Sequence, residues 1–188
     1  MSAIESRIAV AGESYRANRA AMLSLIDGFR ALEEKVRATS NSKKEQFKKR
    51  GQLLPRERVA LLLDRGSPFL ELSTLAGLGM HDDDGKDNVF GGGLICGIGH
   101  VSGVRALISA SDSAIKGGTT TPMGLKKKLR AQEIALKNKL PIVHLVESGG
   151  ANLNYQAETF VEGGRTFRNQ ARLSAAGIPQ INVVHGSS

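Results

Sequence analysis

The order of periodicities along residues 94–184 narrows the possible folds more than any other feature of the sequence. Two apolar runs of strand length, LICGIGHV and VRALISAS, flank Ser102 and Gly103, a two-residue turn signal that predicts a hairpin. The segment MGLKKKLRAQEIALKNK then has the helical period, with Leu125, Leu129, Ile134 and Leu136 on or near one face, the lysines elsewhere and Pro141 closing it. The compact apolar strand PIVHLVE, the glycine turn SGGA, a helix over residues 156–176 and a last strand, PQINVVHG, complete the series. Hairpin, helix, strand, turn, helix and strand in that order predict an α/β fold with helices packed on a sheet.

Upstream, Met22, Leu25, Ile26, Phe29, Leu32 and Val36 recur at three- and four-residue steps, which predicts an amphipathic helix over residues 15–37. The strongly basic residues 39–52 read as a solvated helix end and linker, a surface charge run rather than a dedicated anion site. A short helix is expected over residues 55–64, because proline suits a first turn, and the RGSP turn then leads into FLELSTL as a strand. The division expected from this is a basic helical extension, residues 1–51, and an α/β portion, residues 52–188. Between them and the hairpin, GLGMHDDDGKDN is a loop by composition. Its Asp82, Asp83 and Asp84 are contiguous, whereas a calcium-binding hand needs alternating oxygen ligands and a glutamate at the twelfth position, so a solvated loop is expected.

One cysteine, Cys96, excludes an intramolecular disulfide framework and the four-ligand zinc sites built on cysteine, and no metal is implied. The histidines His81, His100, His144 and His185 lack metal-binding spacing. No basic segment followed by an apolar stretch opens the chain, and no run approaches the roughly 18 apolar residues of a membrane span. A soluble, cytoplasmic protein without a membrane partner is therefore expected. The formal charge of +8 favours anionic partners. Nucleic acid is not expected among them, because Phe47 is the only aromatic residue within the Lys/Arg run and base stacking needs more.

GIGHVSG has one residue too many before its last glycine for a dinucleotide fingerprint and lies within a hairpin, so that reading is rejected. Ser113 and Lys116 match a serine-lysine pair of penicillin-recognising enzymes at only two positions, with no K-T-G downstream. His144, mid-strand among apolar residues, is expected to be a hydrogen-bonded structural histidine. More informative are the strand-to-loop junctions that end in paired glycines: Lys116, Gly117 and Gly118, and Ser148, Gly149, Gly150 and Ala151. Paired glycines let backbone N–H groups turn toward a ligand with no Cβ in the way, which suits them to stabilising an anion or enolate without a side-chain acid. Tight αL turns and close helix packing also select glycine, so the signal by itself is of moderate specificity.

These segments occur together in an ordered set: RERVALLLDRGSPFLEL, GIGHVSGV, KGGTTTPMGLKKKLRAQEIALKNKLPIVHLVESGGANL, GRTFRNQA and IPQINVVHGSS. Over residues 52–188 the chain resembles the carboxyltransferase (beta) subunits of biotin-dependent acyl-CoA carboxylases, and SGGANL places it nearest the methylcrotonyl-CoA and geranyl-CoA branch. The resemblance implies a crotonase-like fold of repeated β-β-α units, here incomplete and preceded by the basic helices. It implies an acyl-CoA substrate, biotin carried by a biotin carboxylase or biotin carrier partner subunit, and a homo-oligomer in the full-length form. In the chemistry so implied, carboxybiotin gives up CO2, the freed biotin nitrogen takes a proton from the methyl group conjugated to an enoyl thioester, and the resulting dienolate attacks the CO2. Backbone N–H groups hold the thioester oxyanion. No catalytic side chain is assigned; Lys116, Gly117, Gly118, Ser148, Gly149, Gly150 and Ala151 are the expected substrate-binding residues. In this family the strand ending in VVHGSS continues into a further glycine-pair turn, so a chain ending at Ser188 is expected to be inactive alone. Thr119, Thr120 and Thr121 stand where methylcrotonyl-type subunits tend to carry aromatic residues, which favours the larger geranyl-CoA. The competing reading is a basic binding or assembly module without catalysis.

Overall fold

A computed structural model describes residues 5–80 and 90–188. The aspartate loop with Asp82, Asp83 and Asp84, and His81 beside it, lie outside the described residues. Two compact units are present, Met1–Lys35 and Val36–Ser188. In the first, the predicted amphipathic helix forms as α1 (Glu13–Asn41), four residues longer at its end than the apolar pattern indicates and running on into the second unit. Its Met22, Leu25 and Phe29 are exposed.

The second unit holds α2 (Lys44–Lys49), α3 (Pro55–Leu62), β1 (Leu70–Glu71), β2 (Leu94–Val101), β3 (Val104–Ser111), α4 (Pro122–Asn138), β4 (Ile142–Val146), α5 (Gln156–Ala175) and β5 (Gln180–Val184). The sheet order is β1-β2-β3-β4-β5, with β1, β2 and β3 antiparallel and β3, β4 and β5 parallel. The hairpin turns where predicted. Ser102 and Gly103 both have positive φ, 51° and 77°, the pairing that matches the twist of the flanking strands. The Asp64 carboxylate accepts from both of their N–H groups at 2.7 Å.

Strand alternation sends side chains to two cores. One packs Cys96, Leu107 and Ile142 against Ala131 and Ala135 of α4 and Leu173 of α5. The other packs Ile95, Ile108, Val143 and Leu145 against Val59 of α3. Gly97 faces this second core, where a Cβ would overlap the edge of the Phe69 ring and the Leu70 carbonyl. Packing thus accounts for one glycine of the rejected dinucleotide pattern.

Two local expectations are corrected. The basic stretch 39–52 is not simply a solvated linker: it folds into α2, Phe47 is buried against Leu54 and Ala114, and buried Ser40 donates to Asp112 at 3.0 Å. Its charges occupy the exposed positions while one aromatic residue anchors the other side. Of FLELSTL, only Leu70 and Glu71 pair as a strand, because Ser73 enters the left-handed region with φ 51° and ends the extended run. Lys127 of α4 is buried, and its Nζ donates to the carbonyls of Gly91 at 3.1 Å and Leu94 at 2.5 Å.

Candidate functional site

Parallel β3, β4 and β5 deliver their carboxyl ends to one edge of the sheet, and the loops that leave them form the candidate site. After β3 comes the turn Lys116–Gly118; after β4, residues 147–151; after β5, His185. Glu147 ties the three together. Its Oε2 accepts from Arg58 of α3 and from the Ser113 hydroxyl, each at 2.7 Å, and lies 3.9 Å from His185 Nδ1. Burial pushes the Glu147 carboxyl up, but the hydrogen bonds from Arg58 and Ser113 and the Arg58 charge outweigh it and hold the group below its usual range. Burial and Arg58 together lower His185, which favours its neutral form. Ser113 therefore serves the carboxylate of Glu147, consistent with rejecting its pairing with Lys116.

The two glycine pairs singled out in the sequence lie against each other. A Cβ on Gly118, whose φ is 74°, would fall on the carbonyl oxygen of Glu147. One on Gly149 would stand 2.8 Å from Thr119 Oγ1 and 3.0 Å from the Gly117 carbonyl. The loops are also stitched by backbone: Thr120 N–H donates to the Gly150 carbonyl at 2.8 Å, and Asn152 N–H to the Thr120 carbonyl at 3.0 Å. This makes a one-residue parallel bridge between Thr120 and Ala151. Because the flanking groups of Ala151 face Thr120, its own N–H points the other way.

Within residues 148–151 the N–H groups divide. Ser148 donates to the Ser187 carbonyl at 2.7 Å and Gly150 to the Ser148 hydroxyl at 3.0 Å. Those of Gly149 and Ala151 donate to no described residue. They are available to a carbonyl or enolate oxygen. Lys116 has φ 45°, so this side chain is carried on left-handed backbone at the mouth of the turn.

Two clefts meet here. One, of about 250 Å³, is bordered by Gly118, Thr120 and Ser148 and floored by His144 and Asn182, with Lys128 above. The other, of about 360 Å³, lies between α4 and α5 and is lined by Leu125, Ala151, Phe160 and Phe167. Thr120, Lys128 and Gln170 belong to both. The sequence reading missed Lys128, Gln170 and Asn182. It also misplaced His144, whose ring finds no hydrogen-bond partner among the described residues and faces the first cleft. Burial and the nearby Lys128 charge push this imidazole down to about 4, so it is neutral. A usable signal was present: His144 and Asn182 interrupt apolar strands at the positions that strand alternation turns toward α4 and α5.

A family profile described as carboxyl transferase domain matches residues 46–188. The chain belongs to the carboxyl transferase domain family. Among curated members of similar sequence, the probable mitochondrial methylcrotonoyl-CoA carboxylase beta chain of Drosophila melanogaster is 47% identical over 98% of this chain and 32% of its own length. The biotin-dependent 3-methylcrotonyl-coenzyme A carboxylase beta1 subunit of Mycobacterium tuberculosis is 52% identical over 83% of this chain and 30% of its own. The crystal structure of the Pseudomonas aeruginosa geranyl-CoA carboxylase beta subunit superposes with a TM-score of 0.89 at 61% identity, covering all of this chain and 35% of that one. Transcarboxylase 12S, at 24% identity and a TM-score of 0.75, shares the fold. This chain thus spans about a third of the length of these carboxyl transferases.

The fold is the mixed α/β, crotonase-like one of the carboxyl transferases. β2, β3 and α4 make one β-β-α unit; in the next, between β4 and α5, the second strand shrinks to the bridge at Ala151. No helix among the described residues is long and apolar enough to cross a membrane.

Proposed function

We propose that this chain supplies the acyl-CoA-binding part of the carboxyltransferase subunit of a biotin-dependent acyl-CoA carboxylase, acting on a 3-methyl-branched enoyl-CoA. Residues 52–188 form that part and residues 1–51 a basic extension. The observation that carries the reading is the 61% identity to a geranyl-CoA carboxylase beta subunit across this entire chain, together with two interlocked glycine loops at the edge of a cleft. Identities near 50% to methylcrotonyl-CoA carboxylase beta chains support the same branch.

The unpaired N–H groups of Gly149 and Ala151 fit a carbonyl-type oxygen, which an acyl thioester and the ureido ring of biotin both possess. Carboxybiotin, carried by a partner subunit, would supply the CO2, and its freed ring nitrogen would accept the proton. On this reading Gly149 and Ala151 polarise the thioester carbonyl and lower the cost of removing a proton from the conjugated methyl group. Gly117 and Gly118 keep the neighbouring backbone close enough to hold that turn in place. Ser148 fixes the turn through its bond to the Gly150 N–H, and Lys116 faces the phosphates of CoA. The apolar cleft between α4 and α5 accepts the branched hydrocarbon, and Thr119, Thr120 and Thr121 leave room for the longer geranyl chain. The assembled enzyme is a homo-oligomer of this subunit with a biotin carboxylase partner, in the cytoplasm, although relatives from Drosophila and Dictyostelium are named mitochondrial.

The test is a carboxylation assay of the complete subunit with its biotin-bearing partner on geranyl-CoA, methylcrotonyl-CoA and propionyl-CoA. The expected order of kcat/KM has geranyl-CoA first and propionyl-CoA last. Propionyl-CoA in first place would overturn the branch, and methylcrotonyl-CoA ahead of geranyl-CoA would overturn the inference from the threonines.

A further inference from the structure

Across the three parallel strands one register row is polar where its neighbours are apolar. Ser109 of β3 pairs with His144 of β4, and His144 with Asn182 of β5. The rows on either side of it alternate to the opposite face, where Ile108, Val143 and Leu145 are core. All three polar side chains therefore point to the α4 and α5 side. Directly toward them comes Lys128 of α4, which shares both cavities above the row with His144, Gln170 and Asn182.

This arrangement has the wrong chemistry for an apolar core. Four polar side chains, those of Ser109, Lys128, His144 and Asn182, have no hydrogen-bond or ion-pair partner among the described residues. No aspartate or glutamate lines either cavity. Burial lowers Lys128 from its usual range, with no carboxylate raising it. A partly buried ammonium without a counter-charge, facing donors and a neutral imidazole, is costly unless an anion joins it.

We propose that Lys128, with Asn182 and His144, binds a carboxylate carried by the ligand, the one that carboxylation adds to the acyl chain. This rests on the acyl-CoA reading above. The 250 Å³ cleft is too small for the nucleotide of CoA and large enough for a short acid-bearing acyl group. Lys128 supplies the charge, the Asn182 amide a second donor, and the neutral His144 one ring N–H. The cleft that accepts the hydrocarbon shares Lys128 and Gln170 as a wall, so a group formed at the chain's reactive end can reach the cation without the ligand leaving.

The experiment is calorimetric binding to the full chain of glutaryl-CoA, which ends in a carboxylate, and of valeryl-CoA, which has the same acyl length and does not. Lys128→Met should weaken glutaryl-CoA about tenfold, the scale of one charge-assisted contact, and leave valeryl-CoA within about twofold. The isosteric Asn182→Asp, which keeps the volume and adds a repelling charge, should do the same, so the result does not hang on one variant. Equal weakening of both thioesters would make Lys128 a contact of the CoA moiety, and no weakening of either would make it a solvated residue. Each of those overturns the proposal. Should neither thioester bind, free glutarate separates the questions: Lys128-dependent glutarate binding keeps the carboxylate site and removes the acyl-CoA reading, and its absence removes the site as well.

Discussion

Lys127 and Lys128 are adjacent in sequence and have opposite duties. Lys127 turns inward to bridge the carbonyls of Gly91 and Leu94, and burial pushes it down to about 8. Helical period alone places the two 100° apart, but only the packed sheet shows that the inward one meets polar backbone instead of side chains. The charge has a measurable signature. The folded protein releases the Lys127 proton near pH 8, while the unfolded chain keeps it to about the usual 10.5. Between these values the unfolded state binds more protons, so this residue makes stability rise with pH across that window and adds no pH dependence below it. The melting temperature of the wild type minus that of Lys127→Met should therefore climb from pH 8 to pH 10. A flat difference would mean that the ammonium is solvated. Neither this role nor the polar row under Lys128 was legible beforehand, because each depends on which residue lies opposite in space.

At the scale of elements, most of the fold was legible. The hairpin turn, α4, β4, α5 and β5 fall within a few residues of the expected spans, since each is announced by its own period and by Gly or Pro at its ends. What could not be read was pairing. FLELSTL has the composition of a strand, yet β1 keeps only two residues. The basic stretch 39–52 has the composition of a linker, yet α2 inserts Phe47 into a small core with Leu54 and Ala114. One buried ring outweighs several solvated lysines, because the lysines gain nothing by leaving and the ring gains by burial. Phe47→Ala should cost about 3 kcal/mol in urea unfolding. A loss below about 0.5 kcal/mol would restore the linker reading. The glycine pairs were found as separate turns, and their spacing of some thirty residues along the chain gave no means of seeing how they interlock.

Across the whole second unit, Glu147 is the point where distant segments converge: α3 through Arg58, the end of β3 through Ser113, and the end of β5 through His185. Its side chain is only 13% exposed. Glu147→Gln should lower stability at pH 7 by about 1–3 kcal/mol, the usual cost of weakening a charged hydrogen-bonded pair. Because the folded carboxyl sits below its usual range, its contribution is complete above that range and is lost as pH falls through the folded value. Denaturant titrations of wild type and variant should therefore converge toward acid; curves that stay parallel would show that the carboxylate is not held by Arg58. That the glycine junctions fall at strand ends was foreseeable from the α/β order, whereas this tie was not, since Arg58 and Glu147 are 89 residues apart.

The close fit of the glycine loops, with the Gly118 backbone against the Glu147 carbonyl and Gly149 against Gly117 and Thr119, bears on how such a site can change over generations. Neither loop can lengthen, or acquire a bulky side chain at its contact points, while the other stays as it is. Variation in one must be answered in the other, so the two segments are inherited as a matched set. Side chains on the walls between α4 and α5, outside both loops, can instead be exchanged one at a time.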